Sequence, residues 1–249
     1  MQEGYRKGKI ESNIQIASNI YELKISLPYT CDSLGEPGQF YMLRGWGAMD
    51  PFLPRPISIC DISHGIITFL YEVRGRGTHI ISKLGPGDEL EVLGPLGKGF
   101  NLDLEGSIAL VSGGIGIAPM IYLAKRLDAI KDFYCGFRKE AYYIDKLKDH
   151  VNSIFISTEE GSIGHKGFIT DLLKPEKYKG VIACGPIPMM KKVVEMCKHE
   201  GVPTYISMEN RMACGIGACL GCTIQTSSGM KRVCKEGPVF SGEEVVFSD

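Results

Sequence analysis

Four cysteines near the carboxyl end carry the most specific chemical signal in the chain. Cys214, Cys219 and Cys222 lie in NRMACGIGACLGC with C-x4-C-x2-C spacing, and Cys234 follows after eleven intervening residues. Four thiolates spaced in this way are the ligand pattern of a plant-type [2Fe–2S] cluster. A loop that wraps a small anionic core must turn its backbone N–H groups inward, and glycine permits the positive φ angles this demands. Gly215, Gly217 and Gly221 stand between the ligands. Zinc is the first competing occupant, but structural zinc sites usually show two C-x2-C knuckles and only one is present. Plain structural thiols are the second. The other cysteines (Cys31, Cys60, Cys135, Cys184 and Cys197) are scattered singly, and a lone cysteine is ordinarily a buried small hydrophobe.

Three further segments could hold a dinucleotide. RPISI (Arg55 to Ile59) places an arginine on an expected strand, and LYEVRGRGTHI follows within twenty residues. Its glycine–threonine helix start would offer free N–H groups to a pyrophosphate, with Arg55 as a cationic partner. VSGGIGIAPM (Val111 to Met120) follows an apolar run and opens a helical pattern. That is the setting of a glycine loop around a nucleotide pyrophosphate, although it is not a strict G-x-G-x-x-G. ACGPIPMM (Ala183 to Met190) repeats the strand-then-glycine arrangement. The five histidines do not cluster at metal-ligand spacing, and no Ser-His-Asp or paired-carboxylate arrangement points to hydrolysis.

These motifs must be positioned by three kinds of element. The first hundred residues read as short strands with period-2 alternation, such as IESNIQIASNIYELKISL, broken by the turn signals GEPGQ, SHG, GPGDE and GPLGKGF. This pattern predicts a small antiparallel barrel, with GTHIISKLG as its one helical interruption. From SIALVSGG onward strands alternate with helices, APMIYLAKRLDAI and PMMKKVVEMCKHEG being the clearest, which predicts a parallel sheet with ligands at the carboxyl ends of its strands. KRLDAIKD and DKLKDH read as charged faces of solvated helices, and Met189, Met190 and Met196 as core positions. The expected domains are residues 1–103, 104–203 and 204–249. With 28 basic and 29 acidic residues the chain has no charge bias toward nucleic acid or an anionic membrane. It has no apolar run long enough for a membrane helix and a polar amino terminus, so a cytoplasmic location is the expectation.

In order and spacing the motifs resemble those of the ferredoxin–NADP reductase superfamily over essentially the whole chain. Arg55-Pro56-Ile57-Ser58 matches its R-P-x-S, Gly113-Gly114-Ile115-Gly116-Ile117-Ala118-Pro119 its G-G-x-G-x-x-P, and Cys184-Gly185-Pro186-Ile187-Pro188-Met189 its C-G-P-x-x-M. The resemblance implies an FAD-binding β-barrel, an α/β nicotinamide domain and a small C-terminal [2Fe–2S] domain. It implies that Arg55, Pro56, Ile57 and Ser58 hold the flavin diphosphate and ring edge. Tyr71, Glu72 and Val73 would flank the isoalloxazine and ribityl chain, and Gly77 and Thr78 would bind the pyrophosphate. Gly114, Gly116 and Pro119 would approach NAD, and Cys184 would sit beside the nicotinamide as the catalytic candidate. Glu159, in STEEGSIGHKG, matches an element beside the nucleotide loop. Arg138 and Lys139 in GFRKEAYY are of a kind that suits a 2′-phosphate, so NAD rather than NADP rests on the resemblance alone. Within the superfamily the tail is similar to that of electron-transfer subunits of bacterial NAD-dependent dihydroorotate dehydrogenases. This implies a catalytic partner carrying FMN, in a heterotetramer of two of each subunit. Met212, Ile216 and Leu220 are apolar in a tight loop with little room for a core of its own, which points to a subunit interface, with packing back onto the first two domains as the alternative. A reductase component that feeds some other acceptor shares every motif, and a zinc-stabilised binding module with a degenerate barrel is the non-enzymatic alternative.

Overall fold

The structure, a computed structural model, describes residues 4–28, 34–47 and 49–247; Cys31 lies outside them. Six strands close into an antiparallel barrel in the order β1-β2-β5-β4-β3-β6. They are β1 (Arg6–Ala17), β2 (Ile20–Ser26), β3 (Phe40–Arg44), β4 (Arg55–Ser63), β5 (Ile66–Glu72) and β6 (Glu89–Leu96). Alternate apolar residues such as Ile10, Leu23, Tyr41, Ile59, Phe69 and Val92 turn inward and are fully or almost fully buried. Closure leaves no strand edge exposed for pairing with other chains. The predicted helical interruption is α1 (Arg76–Ile81), between β5 and β6.

The second unit is a seven-stranded sheet in the order β10-β9-β8-β7-β11-β12-β15. Six of these strands run parallel: β7 (Ser107–Gly113), β8 (Ile130–Phe137), β9 (Ser153–Thr158), β10 (His165–Lys166), β11 (Gly180–Cys184) and β12 (Thr204–Ser207). Two longer helices connect them, α2 (Ile117–Arg126) and α3 (Ile187–Glu200). Gly201 ends α3 in the left-handed conformation (φ 66°), the role glycine fills at helix ends.

Several expectations need correction. The parallel sheet runs beyond residue 203, because Val181 to Cys184 pair with Thr204 to Ser207 as parallel neighbours; the change of architecture follows Ser207. The tail also returns to that sheet. Its last strand, β15 (Val239–Ser241), adds antiparallel to β12, while β13 (Thr223–Thr226) and β14 (Gly229–Arg232) form a separate hairpin. Helix α2 ends at Arg126, and Ile130, expected at its end, opens β8. DKLKDH is not a helix: residues 144–146 make a single 3₁₀ turn followed by further turns. Its mixed charges suit any solvated surface and carry no information on helicity.

The two large units are joined by α2, which packs against β4. Tyr122 of α2 is buried with the barrel core, and its hydroxyl donates to the Gly35 carbonyl at 3.2 Å. Lys125 donates to Asp61 of β4 at 2.6 Å in a pair that is about three-quarters buried on each side. Tyr143 donates to Glu22 of β2 across the same seam.

One close approach fixes the two ligand loops of the sheet to each other. An added Cβ on Gly116 would run into the Cys184 carbonyl, although the φ of −60° at Gly116 suits any residue. Gly116→Ala is therefore expected to cost about 1–3 kcal/mol by overpacking, lowering Tm by about 2–10 °C in a chain of this size. Gly85→Ala, with nothing within 4 Å of its Cβ position, is expected to leave Tm nearly unchanged. Thermal unfolding of the two variants checks the difference.

Candidate functional site

The cluster loop leaves β12 and turns back over the barrel. Gly215 (φ 72°), Gly217 (φ 84°) and Leu220 (φ 60°) take left-handed conformations, which fold the backbone around the thiols. The Cys219 N–H points at the Cys214 sulfur at 3.4 Å, the Gly221 N–H at the Cys219 sulfur at 3.5 Å, and the Cys234 N–H at the Cys222 sulfur at 3.4 Å. Desolvation raises the Cys214 thiol, but hydrogen bonds from the backbone of Cys219, Ile216 and Ala218 and from the Cys219 side chain outweigh it and lower the group to about 6. Desolvation and the neighbouring Cys222 push Cys234 up to about 12.

The thiols thus stand as two neighbouring pairs, Cys214 with Cys219 and Cys222 with Cys234, and the pairs sense each other's charge. A two-iron core with two protein ligands per iron needs this arrangement, so the donor set fits [2Fe–2S]. Arg232 braces the loop by donating to the Gly217 carbonyl at 2.8 Å, and Glu236 holds the guanidinium in place. Cys60, Cys135, Cys184 and Cys197 are buried elsewhere and make no disulfide.

The loop is clamped onto the barrel. A Cβ on Gly215 would lie 2.7 Å from Met42 Cγ and 3.1 Å from Leu96 Cδ1, so backbone and barrel are in direct contact there. Met42 is fully buried and shares a core with Met212, Cys222 and Cys234. Across the β-ladder, Met42 is paired with Pro56 and Leu43 with Arg55. The cluster loop therefore rests on the strand beside the R-P-I-S motif. Of the three apolar residues expected at an interface, Met212 packs inward at 8% exposure, whereas Ile216 and Leu220 remain 55% and 59% exposed.

The residues expected around a flavin are only partly brought together. Arg55 donates to the Leu53 carbonyl and lies over the Trp46 ring at 5.3 Å. A Cβ on Gly77 would be 2.6 Å from the Arg55 guanidinium, so Arg55 and the start of α1 form one cationic surface. Pro56, Ile57 and Ser58 are half-buried along β4, and Glu72 and Val73 are half-buried at the end of β5. Two of these side chains are engaged within the protein. The Tyr71 side chain points into the barrel, where it is 1% exposed, stacks on Tyr21 and donates to Asn13 at 3.1 Å. Strand alternation turns it away from any ligand on the outer face. The Thr78 hydroxyl accepts the Arg74 and Gly75 N–H groups at 3.1 and 3.3 Å, and so caps its own helix.

A cleft of about 1200 Å³ lies at the carboxyl ends of the parallel strands and reaches the end of β5. Gly114 and Gly116 line it at the start of α2, with the φ of 54° at Gly114 leaving its bare side open. Pro119 lies one turn further on and is buried. Gly185 to Met190 form the opposite wall, Glu72 and Arg74 the barrel side, and Arg138 with Glu159 the outer end. Cys184 does not line this cleft. It is 1% exposed, its thiol shares a hydrogen bond with Ser207, and burial raises it far above the usual thiol range. A thiol facing the sheet core is a packing group, and only its backbone reaches the nucleotide loop.

Cleft residues that the sequence did not single out include Arg74, Phe168 and Glu209. Phe168 directly follows the STEEGSIGHKG element and could have been found there. Glu209 is exposed overall, yet its carboxyl reaches far enough into the cleft for desolvation to raise its pKa, with Arg74 opposing. Nothing in the sequence points to Glu209 without the fold.

Comparison with known proteins agrees with this arrangement. Residues 209–246 match the family described as the iron-sulfur cluster binding domain of dihydroorotate dehydrogenase B. The chain is 51% identical to the dihydroorotate dehydrogenase B (NAD(+)) electron transfer subunit of Clostridium acetobutylicum, with 100% of each chain covered. It is 48% identical to that of Clostridium perfringens, with 98% of each covered. Among solved structures, it resembles a chain of the NADH-dependent reduced ferredoxin–NADP oxidoreductase, with a TM-score of 0.85 and 28% identity over 96% of this chain and 89% of the other. A ferredoxin–NADP⁺ reductase from Neisseria gonorrhoeae shares the fold, with a TM-score of 0.64 and 18% identity over 83% of this chain and 94% of the other. The chain accordingly belongs to the family of dihydroorotate dehydrogenase B (NAD(+)) electron transfer subunits.

Proposed function

We propose that this chain passes electrons from the FMN of a dihydroorotate-oxidising partner subunit, by way of a [2Fe–2S] cluster and FAD, to NAD⁺. The observation that carries the reading is the contact of the Gly215 loop with Met42, because Met42 is the ladder neighbour of Pro56 in the flavin motif. It sets the four thiols against the flavin barrel, while α2 leads from that barrel to the nucleotide loop. When bound, the flavin supplies exchange between one-electron and two-electron carriers and the cluster supplies the single-electron step.

The chain's own residues hold and tune these groups. Arg55 offers its guanidinium to the flavin diphosphate beside Gly77, and the N–H groups at the start of α1 face the same place. The backbone around Tyr71, Glu72 and Val73 borders the flavin, with the Tyr71 ring serving the barrel core. Gly114, Gly116 and Pro119 bring the start of α2 up to the NAD pyrophosphate. Amides aimed at Cys214, Cys219 and Cys222 favour thiolates and so the metal-bound state. No general base for dihydroorotate oxidation is assigned here; that step belongs to the partner.

The partner would bury Ile216 and Leu220. They are exposed and lie in the cluster loop on either side of the exposed Cys219. A heterotetramer of two of each subunit and a cytoplasmic location complete the proposal. None of the described helices is long and apolar enough to cross a membrane.

Two results follow. The first is separable loading. Alanine at Cys214, Cys219, Cys222 or Cys234 should remove most of the iron and leave FAD bound, while Cys197→Ala keeps both. Arg55→Ala should keep the iron and weaken FAD binding by about 1.5–3 kcal/mol, the worth of a charge-assisted contact. Iron analysis and the flavin spectrum read both, and loss of iron in Cys197→Ala would undo the ligand assignment. The second is dependence on the partner. The chain alone should reduce artificial acceptors with NADH and leave dihydroorotate untouched. Adding the FMN subunit should restore dihydroorotate-dependent NAD⁺ reduction, and Leu220→Asp should abolish that coupling while sparing the NADH–acceptor reaction. Dihydroorotate oxidation by the chain alone, or full coupling in Leu220→Asp, would contradict the reading.

A further inference from the structure

The outer end of the large cleft contains groups that the electron path does not use. Phe168 lies on its wall and is 70% exposed. Its backbone is held firmly. The Phe168 N–H donates to Asp171 Oδ2 at 3.0 Å, and Gly167, just before it, donates to the Thr158 carbonyl at 3.0 Å. Lys166 is the ladder partner of Thr158, so Phe168 and Glu159 leave the carboxyl ends of adjacent strands together.

Glu159 faces Arg138, with Oε1 3.9 Å from Nε, and both side chains are more than half exposed. A pair this long and this exposed holds weakly. Arg138 directly follows β8, the strand beside the one that ends in the glycine loop. In a parallel-sheet nucleotide domain, the group at this position reads the ribose of the adenosine half. A carboxylate there accepts the 2′-hydroxyl, and an arginine accommodates a 2′-phosphate. Here both chemistries are present, the arginine just after β8 and the carboxylate just after β9.

We infer that this end of the cleft is the adenosine subsite, with the base on Phe168 and the choice between NAD and NADP set by Glu159. The inference rests on the proposed use of NAD and adds the residues that enforce it. Glu159 takes the ribose hydroxyl, repels a 2′-phosphate as a like charge and faces Arg138, a guanidinium suited to bind that phosphate. Without the carboxylate, Arg138 is released to do so. Selectivity thus comes from a repulsive element set beside an attractive one.

The test uses the full chain, loaded with flavin and cluster, and calorimetric titration with two probes, 5′-ADP and adenosine 2′,5′-bisphosphate. Wild type should favour ADP. Glu159→Gln should move the ratio of the two affinities toward the bisphosphate by about tenfold or more, the scale of one charged hydrogen bond lost and another gained. Arg138→Ala in the Glu159→Gln background should remove that gain. Phe168→Ala should weaken both probes, and Phe168→Tyr should restore both. With NADH and NADPH as donors to an artificial acceptor, the same shifts should show in KM more than in kcat. An unchanged ratio in Glu159→Gln, or undiminished binding in Phe168→Ala, would overturn the inference and leave the NAD reading standing. Wild type binding neither probe, with flavin and cluster bands intact, would overturn both.

Discussion

The architecture turns on one contact between backbone and barrel. At Gly215 the cluster loop approaches Met42 and Leu96 so closely that no side chain fits between them. A loop of thiols and glycines has too little apolar surface to hold its own shape, and it borrows that surface from β3 and β6. Met212, Cys222 and Cys234 join Met42 and Phe40 in one buried cluster, which continues into the parallel sheet through Val181, Ala183 and Ile206. The tail is therefore tied to both larger units. Its placement is reinforced where Lys98 donates to the Gly237 carbonyl and where β15 extends the sheet beside β12.

The same economy places the nucleotide cleft against the barrel. Helix α2 begins at the glycine loop and runs under β4, so one rigid element touches the surroundings of two ligands. The Lys125–Asp61 pair and the Tyr143–Glu22 hydrogen bond lie along this seam, partly shielded from water. Removing one partner of such a pair leaves an uncompensated charge, which makes the seam specific in register even where its net contribution to stability is small. Electron carriers need fixed separations more than tight binding, and these contacts provide fixed separations.

Much of this was legible in the sequence because it follows from local rules. Period-2 alternation marked the barrel strands, glycine after an apolar run marked the turns that follow the sheet strands, and cysteine spacing marked the segment that matches an iron-sulfur cluster binding domain. What escaped depends on which way a side chain turns once the sheet closes. Tyr71 and Cys184 sit in well-marked motifs, yet strand alternation sends the first into the barrel and sheet packing buries the second. Met212 belongs to the cluster segment but faces the barrel, whereas Ile216 and Leu220, four and eight residues on, face solvent. The return of residues 239–241 to β12 is a long-range pairing with no local signature, and Glu209 becomes a cleft residue only through the crossing of distant segments.

The Gly215–Met42 contact is expected to set electron exchange between the cluster and the flavin. Rapid mixing of the chain with NADH, with flavin and cluster bands followed separately, tests it most directly in wild type and in Gly215→Val preparations of equal iron and FAD content. Flavin reduction should keep its wild-type rate in the variant while cluster reduction falls well behind it. Cluster reduction at the wild-type rate in a fully loaded Gly215→Val protein would contradict it.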